Sequence, residues 1–281
     1  MNIKFFTYIL LITAILVGTW HCKTPNHIHN KIKYPLVKDF DVDDLGNIYT
    51  VDNENQITKY DVTSNTEYHY TNYTSGDLAA LDVTNPHKIM LFYKDFQQII
   101  IVDNTLSEIS KIQLSQHGLI IAAGYANDGN IWILDVTTLK FLKIDNKGNI
   151  INESFVAKEI TSDSISGNKI YDHDNYMYVV LQDKKLLLYD NRTYFIRALE
   201  LGSIAKPVII NDIIYYFSPK ANSIMAYNLK YNESYTVFDF NKENIKADMA
   251  IIRPDKIYFT AGDKNYGYPE TGQIYIINIK K

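Results

Sequence analysis

The sequence predicts an all-β fold built from six repeated units, and three observations support it. Six hexapeptides rich in Ile, Leu and Tyr end in Asp or Asn, and their last residues are 42, 42, 45, 38 and 50 positions apart. A second aromatic-rich segment precedes each hexapeptide and recurs at similar intervals. No segment after residue 30 has the 3.6-residue period of an amphipathic helix. The hexapeptides are QITKYD (56–61), QIIIVD (98–103), KFLKID (140–145), KLLLYD (185–190), SIMAYN (223–228) and QIYIIN (273–278).

Each repeated unit contains four strand-like segments. Short runs rich in Ile, Val, Tyr and Phe, bounded by Asp-Gly, Asn and Asp-Asn clusters, are typical of strands joined by tight turns. An apolar segment precedes the central pair of each unit, and a more polar segment follows it in most units. Four antiparallel strands in roughly 42 residues, repeated around an axis, predict a six-bladed β-propeller. The predicted innermost strands are 37–42, 78–83, 119–123, 164–165, 207–210 and 248–252.

Two features of the repeats predict how the ring is packed and closed. The last unit contains only three strand-like segments, while residues 28–34 form one more before the first unit. We therefore expect the N-terminal segment to supply the outer strand of the last blade, with residues 31–34 paired to residues 273–279. Such closure removes an exposed sheet edge. Small residues collect in the innermost segments, where space near the axis is short: Ala79, Ala80, Ala122, Ala123 and Ala250.

Composition excludes several classes of protein. The chain has 281 residues, 46% of them hydrophobic, which is enough to bury a large core. A net charge of −4 leaves no excess of Lys and Arg to neutralise phosphates, so we expect no nucleic-acid partner. A single cysteine excludes a disulfide framework and a C-x-x-C zinc or redox motif. We expect no cofactor.

The N-terminal residues are typical of an export signal. Lys4 precedes the apolar run of residues 5–17, which is too short for a membrane span of about 20 residues and matches a signal-peptide core. Cys22 follows five residues later, where a bacterial lipoprotein carries its acylated cysteine. The residues just before Cys22 (TWH) are not the small residues that such a signal prefers. An uncleaved anchor and ordinary cleavage near Gly18 therefore stay open beside acylation.

The chain is thus predicted to have three parts. These are a signal peptide or lipoprotein signal (1–22), a polar tether (23–30) and the propeller (31–281). We expect an exported protein of the periplasm, the outer membrane or the cell surface, anchored to lipid if Cys22 is acylated.

The blades carry the pattern D-x-x-G-N-I-Y followed by Q-I-x-x-Y-D, which resembles the NHL/TolB-like superfamily of six-bladed β-propellers. With its N-terminal signal, the chain is more narrowly similar to propeller lipoproteins of Bacteroidota. The resemblance covers about residues 30–281 and implies the fold alone. Such propellers serve as protein-interaction platforms, as sugar or peptide binders and, in some cases, as lactonases.

The resemblance also leaves open a metal site on the axis. Lactonases of this superfamily hold one divalent cation there with Glu, Asn and Asp from separate blades. Candidate innermost carboxylates in this chain are Asp39, Asp82, Asp163 and Asp248. Calcium or zinc on the axis is therefore an alternative, although the sequence does not show that any three of them converge. The Asp or Asn that ends each hexapeptide has a simpler interpretation, because these residues bond to the backbone of their own turn.

The last repeat contains an insertion. Corresponding positions of the second and third strands are nine or ten residues apart in five units, whereas Ile257 and Ile274 are seventeen apart. We expect the inserted segment AGDKNYGYPETG (261–272) to lie on the same face as the links between blades. Loops on a rigid scaffold often carry function, and tyrosine gives contact area at low entropic cost. The alternative is a surface loop without a partner. The candidate binding residues are Asp263, Lys264, Tyr266, Tyr268 and Glu270.

These observations predict a non-enzymatic binding or scaffolding module of the bacterial cell envelope. It would recognise an envelope protein or glycan through one loop-bearing face, as a monomeric disc within a complex. No G-x-S-x-G, P-loop or G-x-G-x-x-G motif occurs, and thiol chemistry has no cysteine beyond Cys22. The alternative is a metal-dependent hydrolase or lactonase acting at the axial funnel.

Overall fold

The computed structural model describes residues 28–33, 37–160, 168–173, 175–181, 185–261 and 273–279. In these residues the chain forms 24 β-strands and two short 3₁₀ helices. The strands group into six antiparallel sheets of four, and each sheet follows the order of the chain except for one strand of the last. The predicted six-bladed β-propeller is therefore confirmed. Neither short helix among the described residues has the length or apolar character needed to cross a bilayer.

The strands are numbered in chain order, beginning with β1 (Ile28–Lys33). The first blade contains β2 (Val37–Val42), β3 (Ile48–Asp52), β4 (Ile57–Asp61) and β5 (Thr66–Tyr70). The second contains β6 (Ala80–Asp82), β7 (Ile89–Tyr93), β8 (Gln98–Val102) and β9 (Glu108–Gln113). The third contains β10 (Ile120–Tyr125), β11 (Ile131–Asp135), β12 (Lys140–Ile144) and β13 (Ile150–Val156).

The fourth blade contains β14 (Tyr171–His173), β15 (Tyr176–Val180), β16 (Lys185–Asp190) and β17 (Phe195–Glu200). The fifth contains β18 (Ala205–Ile210), β19 (Ile213–Ser218), β20 (Ser223–Asn228) and β21 (Glu233–Asp239). The sixth contains β22 (Ala247–Arg253), β23 (Lys256–Ala261), β24 (Gln273–Asn278) and, as its outer strand, β1. The 3₁₀ helices, Ser115–His117 and Phe240–Glu243, lie in links between blades.

The N-terminal strand closes the ring as predicted. β1 pairs antiparallel with β24, in a register that sets Lys31 opposite Tyr275 and Lys33 opposite Gln273. The strand begins at Ile28, inside the stretch that the sequence assigned to the tether. Because β1 covers β24, the last sheet reaches four strands like the other five.

The hydrophobic core is divided among the six contacts between neighbouring blades. Each contact contains one cluster of buried side chains, for example Met90 and Phe92 of the second blade packed with Ile131 and Ile133 of the third. The contact between the last and first blades is built in the same way, with Tyr258 and other sixth-blade residues in the cluster of Phe40. Middle strands are covered on both faces, which explains why they appear in the sequence as continuous apolar runs.

One innermost strand differs from its prediction. In the fourth blade the strand that pairs with β15 is β14, Tyr171–His173, and not residues 164–165, which lie outside the described residues. The remaining innermost strands overlap the predicted ranges. The alanines predicted to lie near the axis are buried at Ala80, Ala122, Ala123 and Ala250.

Candidate functional site

The candidate binding residues of the insertion, Asp263, Lys264, Tyr266, Tyr268 and Glu270, lie outside the described residues, as does the candidate lipidation site Cys22. The strands on either side of the insertion are described. Eleven residues separate β23 from β24, whereas four residues join the second and third strands in each of the other five blades. The predicted length difference is therefore confirmed.

A cavity of about 530 Å³ lies at the propeller axis and is the strongest candidate site among the described residues. Residues of the first, second, fourth, fifth and sixth blades line it. It extends to the turns between first and second strands, including residues 43–46 and 254–255. We call it the axial cavity. Charged residues in its lining include Asp41, Asp82, Lys169, Lys206 and Arg253.

The axial cavity reaches one face of the disc, and the strand ends that flank the insertion lie on the opposite face. In the sixth blade Arg253 pairs with Lys256 beside the turn that lines the cavity. At the other end of the same two strands, Ala247 pairs with Ala261, the last residue before the insertion. We call these the turn face and the insertion face.

Backbone contacts between the third and fourth blades hold Lys169 at the axis. The Ala123 amide donates to the Asn168 carbonyl at 3.1 Å, and the Ile170 amide donates to the Ala123 carbonyl at 3.0 Å. These two bonds form a parallel bridge between Ala123 and Lys169. Gly124 permits this approach, because a Cβ at Gly124 would lie 1.8 Å from the Ile170 carbonyl oxygen.

Lys169 connects the fourth blade to the first two. Its Nζ donates to Asp41 Oδ2 at 3.1 Å and to the Leu81 carbonyl at 3.1 Å, and it lies 3.6 Å from Asp82 Oδ1. The same ammonium lies 5.3 Å from the ring centre of Tyr171. Burial lowers the pKa of Lys169, but the carboxylates of Asp82 and Asp41 outweigh burial and raise it, so the side chain stays charged.

The carboxylate of Asp41 interacts with cationic side chains from three blades: Lys169, Lys206 and Arg253. In addition to Lys169, Arg253 Nη2 donates to Asp41 Oδ1 at 3.3 Å and also donates to the Val42 carbonyl. Burial raises the pKa of the Asp41 carboxyl, but the charges of Lys169, Lys206 and Arg253 together outweigh burial and lower it to about 2. Asp41 is therefore ionised at neutral pH.

Lys206 reaches the axis through an irregularity in β18. The pairing of β18 with β19 shifts register between Ala205 and Val208, and Lys206 has a left-handed backbone with φ of 49°. A bulge of this kind redirects a side chain, and such strain is common near functional sites. Lys206 Nζ lies 2.5 Å from Asp39 Oδ1. Burial lowers the pKa of Lys206, but Asp39 and Asp41 outweigh burial and raise it.

Asp82 links the second blade to the third and fourth. Its Oδ2 accepts the Tyr125 amide at 2.9 Å, and its Oδ1 accepts the Thr84 amide and hydroxyl at 3.0 and 2.6 Å. Since Oδ1 also faces Lys169, both oxygens have donors. Asp39 and Asp82, two predicted innermost carboxylates, thus lie at the axis, each beside a lysine.

The carboxylates at the axis are not arranged to bind a divalent cation. Asp39 faces Lys206, and both Asp41 and Asp82 face Lys169, so a cation would have to displace bound ammonium groups. Asp248 is exposed on β22, and Asp163 lies outside the described residues. Within the described part of the chain, no three His, Cys, Asp or Glu side chains are grouped as metal ligands would be.

The Asp and Asn residues that end the hexapeptides bond to their own turns, as predicted. Asp61, Asp103, Asp145, Asp190 and Asn228 each accept backbone amides from residues two to four positions further along. They shape the turns and do not form a ring of carboxylates.

Four residues of this site are not among those predicted from the sequence: Lys169, Lys206, Arg253 and Tyr171. For Lys206 and Arg253 the signal is a cation in an innermost strand that is otherwise apolar, as in AKPVII (205–210) and IIR (251–253). The segment NKIYDHD (168–174), which contains Lys169 and Tyr171, is mostly polar and has no such signal. Lys169 and Tyr171 were missed because the fourth innermost strand had been placed at residues 164–165.

Comparisons with known proteins identify the fold. No protein-family model matches the sequence, and neither does any curated protein. A streptogramin B lyase structure is 13% identical, with a TM-score of 0.61, over 92% of this chain and 90% of that one. A protein of unknown function from Bacteroides caccae is 12% identical (TM-score 0.57) over 80% of this chain and 90% of its own. The Pan2 WD40 domain of Neurospora crassa is 12% identical (TM-score 0.60) over 91% of this chain and 98% of its own. At such identities these likenesses show the propeller fold alone.

Proposed function

We propose that this protein is a non-enzymatic binding module of the bacterial cell envelope that recognises an envelope protein or glycan through its insertion face. The main observation in support of this proposal is the connection of eleven residues between β23 and β24, where each of the other five blades has four residues. Both flanking strands belong to a ring closed by β1, so the connection extends from a rigid support. We propose Tyr266 and Tyr268 as its main contacts, supported by Asp263, Lys264 and Glu270.

The position of β1 supports an orientation for this module. Lys33 pairs with Gln273, beside the insertion, whereas Ile28 pairs with Ile277 at the other end of β24. The chain therefore enters the disc from the turn face. If the exported protein is anchored through an acylated Cys22, the insertion face is directed away from the membrane.

The charges at the axis support binding rather than catalysis. The axial carboxylates of Asp39, Asp41 and Asp82 are each paired with a lysine or arginine. The neighbouring cations would compete with a metal ion for these oxygens. At Asp41 burial raises the pKa, but the cations outweigh it and lower the pKa to about 2, which makes this carboxylate a weak general base. Metal analysis of the purified protein by mass spectrometry tests this point, since one calcium or zinc per chain would favour the hydrolase alternative.

The main test is capture of a partner from the native envelope. Crosslinking and affinity purification with the full chain should recover a specific protein or glycan. Replacing both tyrosines (Tyr266→Ala with Tyr268→Ala) should abolish recovery and leave the melting temperature unchanged. The matched control is Leu45→Ala with Val62→Ala, which removes two exposed apolar side chains from turns of the turn face and should leave recovery intact. Recovery that is unchanged in the tyrosine variant would refute the proposal.

The lipid anchor is tested separately. Palmitate labelling should modify the wild-type protein and not Cys22→Ser. Label on the Cys22→Ser protein would exclude acylation at this position.

A further inference from the structure

Near the axis, the cavity offers a ligand hydrogen-bond donors, whereas the carboxylates there are already paired. The two innermost carboxylates already accept hydrogen bonds or face cations. Asp41 accepts from Val42, Lys169 and Arg253, and Asp82 accepts from Thr84 and Tyr125 and faces Lys169. Hydrogen bonds to these carboxylates therefore leave little capacity for a ligand that brings donors.

Three donors are not fully used. Lys206 has three N–H groups, and among the described residues its only partner is Asp39. The Tyr171 hydroxyl makes no hydrogen bond to any residue that the structure describes. Arg253 Nε is buried without a hydrogen-bond partner. A buried polar group without a partner costs free energy, and this applies to Arg253 Nε. Lys206 and Tyr171 are partly exposed in the lining, so a ligand that accepts hydrogen bonds can reach them.

Lys206 and Tyr171 belong to one site. Both side chains line the axial cavity, Tyr171 from β14 of the fourth blade and Lys206 from the bulge in β18 of the neighbouring fifth blade. Burial is the largest influence on Tyr171 and raises its pKa, so the hydroxyl keeps its proton. An ammonium and a phenol that both remain protonated are suited to the two oxygens of a carboxylate.

The walls of the cavity define the rest of the ligand. Tyr171 stacks on Tyr178 with ring centres 4.9 Å apart and planes 3° from parallel. Val208 and Ile251 add apolar surface to the lining. A volume of about 530 Å³ is that of a small-molecule pocket. Asp44 and Asp255, both exposed, lie in the part of the lining nearest the turn face and would repel a polyanion.

We propose that the axial cavity binds a small organic monocarboxylate with an apolar body, held by Lys206 and the Tyr171 hydroxyl. This site is on the opposite face from the recognition surface proposed above and is independent of it. The Tyr171–Tyr178 stack and the aliphatic side chains contact the body of the ligand.

A set of probes with the same phenyl body and different polar groups tests the proposal. Phenylacetate, its amide phenylacetamide and the cation 2-phenylethylamine are titrated against the full chain by isothermal calorimetry or ligand-observed NMR, up to about 10 mM. Phenylacetate should bind about tenfold more tightly than the other two, because its two charged oxygens form stronger hydrogen bonds than the neutral amide oxygen and the ammonium accepts none. Inorganic phosphate, which lacks an apolar body, should bind more weakly than phenylacetate.

Two variants test the residues. Tyr171→Phe keeps the aromatic stack and removes one donor, and Lys206→Gln removes the cation, so each should weaken phenylacetate binding about tenfold. Tyr231→Phe and Lys242→Gln, which change exposed residues elsewhere, should bind phenylacetate like the wild type. Circular dichroism and the melting temperature establish that each variant is folded. If Lys206→Gln does not fold, Tyr171→Phe alone still tests the proposal.

Three results would overturn the proposal. They are equal binding of phenylacetate and phenylacetamide, no binding of phenylacetate at the highest concentration, and wild-type affinity in a folded Tyr171→Phe protein. The Tyr266→Ala with Tyr268→Ala protein should bind phenylacetate normally, so failure of the insertion face and failure of the axial site are distinguishable.

Discussion

Lys169 of the fourth blade donates to Asp41 of the first blade at 3.1 Å, although the two residues are 128 positions apart in the chain. Both side chains are largely buried, with 13% and 10% of their surface exposed. The pair therefore joins opposite sides of the ring through the axis. Removing one partner leaves the other charge buried, which is far more costly than losing an exposed pair.

We predict that Lys169→Met lowers the free energy of unfolding by about 3 kcal/mol. Urea denaturation of Lys169→Met, Asp41→Asn and the double variant measures the coupling, and the double variant should lose less than the sum of the single losses. Lys140→Met is the matched control, because Lys140 and Glu153 form an ion pair at 3.3 Å with 30% and 58% exposure. Lys140→Met should lower the free energy of unfolding by less than about 1 kcal/mol. Equal losses at the two sites would contradict a special role for the axial pair.

Acid should weaken the axis through Asp41. Its pKa falls from 3.8 to about 2 on folding, so the unfolded chain binds the proton more readily. The resulting stabilisation, about 2 kcal/mol, is complete above about pH 5 and is lost as the pH falls toward 2. Unfolding free energies measured between pH 7 and about pH 2 should show this loss. Asp41→Asn should have a shallower decrease over the same window, and an identical decrease would contradict the assignment to Asp41.

Gly124→Ala should disrupt the contact between the third and fourth blades. The added methyl would lie 1.8 Å from the Ile170 carbonyl oxygen, so the Asn168–Ile170 backbone must move away and take Lys169 with it. We expect a loss of about 3 kcal/mol or more in the free energy of unfolding. Gly129→Ala is the control, because its Cβ meets nothing within 4 Å and only its positive φ resists substitution, which costs about 1 kcal/mol. Similar losses in both variants would contradict the close approach.

Removing the closing strand should destroy the sixth blade as a folded unit. Deletion of residues 1–33 leaves the outer edge of β24 without its partner. We expect the truncated protein to self-associate in size-exclusion chromatography and to lose its cooperative thermal transition. Deletion of residues 1–27 keeps β1 and should leave a monomer with the transition of the full propeller. A monomeric, cooperatively folded product of the longer deletion would show that the ring does not need β1.

The fold could be predicted from the sequence because its determinants are local and repeated six times. Strands such as β7 and β8 are covered on both faces, and this requirement leaves apolar runs bounded by turn residues. The pairing of β1 with β24 was predictable because the last repeat has one strand too few and the segment before the first repeat supplies one more. The insertion before Gln273 was found as the single departure from a regular interval.

The axial site was harder to predict because it depends on side chains brought together from distant repeats. Asp39 and Asp82 were correctly expected near the axis, but no spacing in the sequence indicates that each faces a lysine. Lys206 depends on a bulge in β18, and bulges leave no fixed pattern in sequence. Lys169 lies on a short segment before β14 whose partner, Ala123, belongs to another blade.

The pairing of Ile32 with Ile274 also sets the order in which the molecule can be completed. Ribosomes deliver the N-terminal end of a chain first, so β1 emerges before the other described strands of the propeller and its partner β24 emerges after them. Bringing two strands together from opposite ends of the propeller sequence costs conformational entropy and slows folding. Five blades can form while synthesis continues, but the sixth must wait until residue 278 has emerged. A chain stopped short of β24 would therefore leave its earliest strand unpaired, and an unpaired terminal segment is open to proteolysis.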